Sequence, residues 1–381
     1  MIKVYNGYEG VEVELLSYTK DIDNIAIRMC GLTYHHKDDF SNFKNTVDFI
    51  TKKLIENKTS PKIMEAAHCT FVFKNISRVN LARLTRDQVG AINSESGAVP
   101  FHNIETGAFT GKYKKEVSVI KPLAVYNNEQ LNKKFDEIIK QIDEFQELVT
   151  KNELIWAPDM RYLFPQGETI SIAMEYNARQ LAAACNKRIL NAVGDEDNFA
   201  MRKAIVILKK QIELDYNNKQ LSELSYKIWQ NIIKNTIPKI QFIDELLGDQ
   251  LCKGMKTRGD CQKPVYNKKD CSLFYELIKA YKTDKELLIL EGEKEMVKNW
   301  LENDQDAKNF YNNLKSISFV IKQQYKSQSD KYITSCKLQD GTWRSENIKD
   351  ARKFKSITQA NNFLKEKYTY GGNFIIEKIE Y

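Results

Sequence analysis

Residues 68–97 read HCTFVFKNISRVNLARLTRDQVGAINSESG. The first nine, HCTFVFKNI, are rich in aromatic and β-branched side chains and predict a strand. From Ser77 the pattern turns helical, and Arg83 and Arg86, three residues apart, share a helical face. A polar turn follows with Asn93, Ser94 and Ser96, whose hydroxyls and backbone N–H groups suit oxyanions. Strand, basic helix and polar turn are together the parts of a phosphate cradle. Asp87, directly beside Arg86, is the exception, because a carboxylate there opposes an anionic ligand.

Working outward, the chain alternates strands and helices. VEVELLSY (11–18) alternates as a strand and NIAIRMCGL (24–32) reads as a short helix. FKNTVDFITKKLIEN (43–57) spaces Phe43, Val47, Ile50 and Leu54 as one helical face, closed by the Ser60–Pro61 break. NNEQLNKKFDEIIKQIDEFQELVTKNEL (127–154) predicts a long amphipathic helix with Leu131, Phe135, Ile138, Ile142, Phe145 and Leu148 on one side. TISIAMEY (169–176) is a strand, NARQLAAACNKRILNAV (177–193) a helix, and NFAMRKAIVILKKQIELDY (198–216) another. Residues 272–325 are helical in pattern. The tail carries an Asp-Gly hairpin signal in LQDGTW, a helix in SITQANNFLKEKY and a closing strand in NFIIEKIEY.

These elements divide the chain into three parts. Residues 1–250 form an α/β (α+β) core with a mixed sheet and long helices. Residues 251–325 are a cysteine-containing linker and helical region, and 326–381 a small ββαβ-type module. No internal repeat interrupts this order.

The chain has 381 residues, 42% hydrophobic and 29% charged, enough apolar material for a sizeable core. No segment approaches the about 18 consecutive apolar residues of a membrane span, and the start lacks a secretory signal. The expectation is a cytoplasmic protein without a membrane partner. Seven cysteines, odd in number and mostly scattered, speak against a disulfide framework. A net charge of +7 favours anionic partners, though it is spread over the whole chain, as on a lysine-rich solvated surface.

In a helix over 177–190, Asn177, Leu181, Ala184 and Arg188 share one face. Asn177 and Arg188 would lie roughly 16 Å apart along the axis. Such a bed suits a long flat ligand with an anionic end; a close helix contact through Ala182, Ala183 and Ala184 is the other reading. Arg161, in a loop fixed by Pro158 and Pro165, is mounted to meet a phosphate bidentately. Metal chemistry has little support. His35 and His36 sit in a polar loop, and Cys252, Cys261 and Cys271 are spaced far more loosely than C-x2–4-C zinc pairs. No Gly-rich nucleotide loop appears. The aromatic residues of the tail (Tyr332, Trp343, Phe354) fit a small module core better than a base-stacking platform, so nucleic acid is possible but not favoured.

Three blocks, in order, resemble the flavin-dependent thymidylate synthase (ThyX) family over roughly residues 10–245. HCTFVFKNISRVNLARLTRDQVGAINSESG is similar to its strand, helix and signature loop, R-H-R-x-x-S-x-N-x-x-S-x-R. MRYLFPQGETISIAMEYNARQL is similar to its second block, and NARQLAAACNKR followed by EDNFAMRKA to its closing helix pair. The resemblance implies a homotetramer with FAD as redox carrier, a pyrimidine nucleotide monophosphate as acceptor, methylenetetrahydrofolate as carbon donor and NADPH as reductant. It implies cofactor roles for His68, Asn93 and Asn177, and substrate roles for Arg83, Arg86, Ser96 and Arg161, which Ser94 of the polar turn joins by its hydroxyl. Arg188 falls on the pyrimidine side as a catalytic residue, and Asp87 occupies the signature histidine position.

The departures cluster in the signature. Asp87, Gln88, Ala91 and Ala98 replace its histidine, second arginine, first serine and last arginine. Leu84 and Ala67 replace a glutamine and a glutamate. A carboxylate at position 87 accepts from an exocyclic amine such as cytosine N4, where uracil offers a carbonyl. The expected reaction is FAD-dependent methylation or hydroxymethylation at C5 of a nucleotide such as dCMP. A drifted dUMP synthase and a flavin-free binding or scaffold protein are the alternatives.

Overall fold

The computed structural model describes residues 2–33, 61–85, 91–94, 117–152, 165–190, 195–237, 272–290, 292–314, 317–323, 331–333, 344–345 and 374–380. Two compact units are present: Met1–Glu276 with Ile289–Glu293, and Leu277–Leu288 with Lys294–Tyr381. The chain is of the α/β class, with both helices and sheets in its described residues.

The first unit is built on a four-stranded antiparallel sheet. Its strands are β2 (Glu12–Tyr18), β3 (His68–Ser77), β4 (Ala91–Ser94) and β6 (Thr169–Asn177), in the order β2-β3-β6-β4. Alternation decides its two faces. Cys69, Phe71 and Phe73 of β3 and Ile172, Met174 and Tyr176 of β6 are buried. The residues between them, including Thr70, Val72, Ala173 and Glu175, are only half-buried. A strand with one face packed and one open must alternate in this way. A register shift between Leu15 and Ser17 bulges β2 and leaves Leu16 exposed.

Helix α1 (Ile22–Thr33) follows β2, and α2 (Pro61–Ala66) leads into β3. Helix α3 (Arg78–Leu84) follows β3. A parallel pair joins β1 (Lys3–Asn6) to β5 (Ser118–Lys121), and Val119 of β5 also makes an antiparallel bridge to Glu168 just before β6, so parallel and antiparallel pairing meet at β5. Against this pair lies α4 (Glu129–Asn152). Ile2, Val117, Val119 and Ile139 form its core, with Phe135 and Ile142 packed alongside. The apolar side expected for α4 is therefore divided, because Leu131, Ile138, Phe145 and Leu148 remain exposed.

After β6 the chain enters α5 (Ala178–Cys185), then α6 (Asp195–Asn217) and α7 (Glu223–Thr236). Helix α6 packs across β2 and β3, and α5 packs on α2, α6 and α7. Trp229 of α7 is fully buried and donates its indole N–H to Thr19 O at 2.8 Å. Asp215, near the end of α6, accepts from Tyr18 (2.5 Å), Gln211 (2.8 Å) and Lys20 (2.9 Å). Burial, then the Asp215 hydrogen bond, pushes the Tyr18 phenol up out of its usual range.

In the second unit α8 (Ser272–Thr283), α9 (Glu293–Asn303) and α10 (Gln305–Asn313) supply the helices, although the first turn of α8 and Glu293 belong to the first unit. Lys282 donates to the carbonyls of Tyr311 and Leu314 at 2.9 and 2.7 Å. Its sheet runs β10-β7-β8-β9: β7 (Ile317–Gln323), β8 (Lys331–Ile333), β9 (Arg344–Ser345) and β10 (Phe374–Glu380). The helical reading of 272–325 is corrected here, since Ile317–Gln323 pairs antiparallel along the whole of β10. Ile317, Phe319 and Ile321 alternate with period two, and that pattern prevails over the helical run before it. The expected helices at 43–57 and 356–368, the Asp-Gly turn and Cys252, Cys261 and Cys271 lie outside the described residues.

Candidate functional site

Ser77 ends β3 and starts α3. Its hydroxyl accepts the Asn80 N–H at 3.1 Å as an N-cap, while its own N–H and hydroxyl donate to the Glu196 carboxylate at 2.6 and 2.5 Å. Helix α3 is thereby pinned to the first turn of α6. Burial raises the Glu196 carboxyl above its ordinary range, and the Ser77 hydrogen bonds oppose that shift. The Asn80 amide is buried with no partner in hydrogen-bond distance among the described residues, yet near enough to Glu196 to favour its ionised form.

One residue further along α6, Asp197 stands between two arginines. Arg83 donates to its Oδ1 at 3.2 Å and Arg188 to its Oδ2 at 3.1 Å. Arg188 also donates to the backbone carbonyl of Arg83 at 2.5 Å. Arg83 is 34% exposed, whereas Arg188 and Asp197 are 2% and 0% exposed. Burial raises the Asp197 carboxyl, and the two guanidinium groups pull it back down. When Asp197 is ionised, the three groups carry one net positive charge. Arg83 is the member that displays it to solvent.

The single helix expected over 177–190 is interrupted. Helix α5 ends at Cys185 and a π-helical turn spans Asn186–Leu190. A π turn holds more residues per turn than an α-helix, so Arg188 leaves the stripe that a straight helix would give it. Leu181 and Ala184, the middle of the expected ligand bed, are buried as core. Ala178 is buried too, which favours packing for this side of the helix, whereas Ala182 is half-buried and Ala183 exposed.

His68 and Asn177 meet across the sheet, directly opposite in the β3–β6 register. Asn177 is the N-cap of α5. Its Oδ1 accepts the Gln180 N–H at 2.8 Å, and its own N–H donates to Gln180 Oε1 at 3.1 Å, a reciprocal capping box. His68 Nδ1 lies 2.9 Å from Glu175 Oε1, with the two side chains 48% and 37% exposed. In β4, Asn93 and Ser94 stand opposite Ala173 and Ile172. Arg86, Asp87, Ser96 and Arg161 lie outside the described residues.

The structure thus makes two pairs from the expected residues: Arg83 with Arg188, and His68 with Asn177. It adds Asp197, Glu196 and Glu175, which the sequence reading did not name. Glu175 was accessible from the period-two pattern of TISIAMEYN, which puts it on the same face as Asn177. Asp197 had only a weak signal, because acids in a helix's first turn are ordinarily explained by the dipole.

Among known families, the model described as "Thymidylate synthase complementing protein" matches residues 14–212. The chain belongs to that family. It is a divergent member of the flavin-dependent (ThyX) thymidylate synthases. No curated protein matches it. Among solved structures it is similar to the flavin-dependent thymidylate synthase ThyX from Helicobacter pylori, complexed with FAD and dUMP. The identity is 18% and the TM-score 0.37, covering 54% of this chain and 98% of that one. It is also similar to the UMP/dUMP methylase PolB from Streptomyces cacaoi bound with 5-Br UMP. There the identity is 14% and the TM-score 0.39, over 62% of this chain and 99% of that one. Among the described residues no helix is long and apolar enough to cross a membrane, and no group of three or more His, Cys, Asp or Glu could hold a metal ion.

Proposed function

We propose that this chain is a flavin-dependent enzyme that modifies C5 of a pyrimidine nucleotide monophosphate, with a cytidine nucleotide such as dCMP as acceptor. The observation that carries the reading is the Arg83–Asp197–Arg188 cluster in a chain of this family. It gives a fixed, partly exposed cation at the end of a helix that a signature-like segment follows directly.

The residues present fit a flavin. The open face of the sheet around His68, Thr70, Ala173 and Asn177 is half-buried to exposed, with small side chains at Thr70 and Ala173 and hydrogen-bonding groups at His68 and Asn177. Glu175 on that face repels phosphate, so the face suits an uncharged ring system and leaves phosphates to the arginines. When bound, FAD supplies the hydride that completes the one-carbon transfer.

The chain's own part is binding and orientation. Arg83 meets the nucleotide phosphate, and its carboxylate partner prevents it from swinging away. Arg188 braces the backbone at Arg83 from within. Asp87 accepts from an exocyclic amine of the base, which favours cytosine over uracil. Arg86, Ser94, Ser96 and Arg161 complete the substrate clamp, and His68, Asn93 and Asn177 hold the flavin. Methylenetetrahydrofolate is the carbon donor and NADPH the reductant. Four copies assemble in the cytoplasm, so that one chain's sheet face meets another's arginines.

The other reading is a flavin-free binding protein that keeps the fold. It is favoured by one observation: Arg188 is 2% exposed and spends its guanidinium on Asp197 and the Arg83 carbonyl. Incubation of purified protein with FAD, followed by desalting and an absorbance scan, separates the two. Retained flavin bands support the enzyme, and a colourless protein supports the binding role. Calorimetric titration with dCMP and dUMP then tests the acceptor, and tighter dUMP binding defeats the cytidine assignment.

A further inference from the structure

We infer that Glu175 is a positioning residue for His68, fixing its tautomer so that an acceptor and a donor stand side by side on the open face of the sheet. The inference rests on the flavin reading only for the identity of the ligand.

His68 Nδ1 is 2.9 Å from Glu175 Oε1, across the β3–β6 ladder. An ionised carboxylate only accepts hydrogen bonds, so Nδ1 must carry the proton. In the neutral ring that leaves Nε2 bare, as an acceptor. Opposite stands Asn177, where directly paired residues have Cβ atoms about 5 Å apart. Its Oδ1 is committed to the Gln180 N–H at 2.8 Å, so its amide presents the Nδ2 donor. One acceptor beside one donor, on a face with small residues at Thr70 and Ala173, matches the edge of a planar heterocycle carrying N–H next to C=O. The pyrimidine ring of an isoalloxazine has such an edge. His68 carries the acceptor, and Glu175 keeps it one.

The test uses full-length protein labelled with 13C,15N-histidine. Four histidines give four ring systems, and the His68 signals are those lost in His68→Gln. In flavin-free wild type the expected form is Nδ1–H. Glu175→Ala is expected to lower the Nδ1–H to Nε2–H ratio by roughly fivefold, as for a half-exposed charged hydrogen bond, and Glu175→Asp to restore it in part. Retention of FAD after desalting should weaken in Glu175→Ala and return in Glu175→Asp. A wild-type His68 in the Nε2–H form, or a ratio unchanged in Glu175→Ala, overturns the proposal. Failure of wild type to bind FAD while the tautomer shifts as expected removes the flavin as ligand and leaves the Glu175 assignment standing.

Discussion

Arg188 reaches the backbone carbonyl of Arg83 at 2.5 Å, while the two side chains hold opposite oxygens of Asp197. One carboxylate thereby fastens three elements: the last turn of α3, the π turn after α5 and the first turn of α6. Removing it leaves Arg188 buried without its counter-charge. Asp197→Ala is expected to cost about 3–5 kcal/mol of stability, the usual result of orphaning a buried ion-pair partner. Urea unfolding measures it, and a loss under about 1 kcal/mol contradicts the fastening role.

Glu196 gives a pH prediction. Burial raises its folded-state pKa above the ordinary 4.5. A carboxyl raised in the folded state stabilises most fully below its unfolded value, and that contribution is lost as pH rises through the folded value. Wild-type stability should therefore fall as pH climbs from 5 towards neutrality. Glu196→Gln keeps an acceptor for the Ser77 N–H and adds a donor towards the Ser77 hydroxyl. Its unfolding midpoint should fall less over the same range, and parallel pH curves for the two proteins refute the assignment.

Asn177 has two jobs that substitutions separate. Asn177→Ala removes the cap of α5 and is expected to cost about 1 kcal/mol. Asn177→Asp retains an acceptor for Gln180 but lacks the Nδ2 donor, so stability should hold while FAD retention drops. If Asn177→Asp holds FAD as wild type does, the amide is only a helix cap.

Arg202 and Glu293 form a buried two-pronged pair at 2.8 and 2.7 Å, and Glu293 also accepts the Leu290 N–H at 3.0 Å. Glu293→Ala is expected to cost about 3–5 kcal/mol, whereas the paired change Arg202→Met with Glu293→Leu should cost less than the single one. Chemical denaturation of the three proteins decides it. Equal losses in single and double variants contradict the pairing.

The fold was legible where hydrophobic patterning left little choice. HCTFVFKNI and TISIAMEYN alternate cleanly, and the structure pairs them along almost their full lengths. Arg83, Arg188, His68 and Asn177 stood out through motif order. Their partners did not, because Asp197 resembles an ordinary helix-start acid and Glu175 an ordinary solvent-facing strand residue. The π turn at Asn186–Leu190 leaves no signature in a sequence that continues as helix. Ile317–Gln323 directly follows a helical stretch, and its short period-two pattern becomes decisive only with its pairing to β10.

The most direct measurement is the flavin absorbance of the purified, FAD-reconstituted protein, titrated in turn with dCMP and dUMP. The account predicts retained flavin bands that respond to dCMP at lower concentration than to dUMP. A protein that stays colourless after reconstitution would contradict it.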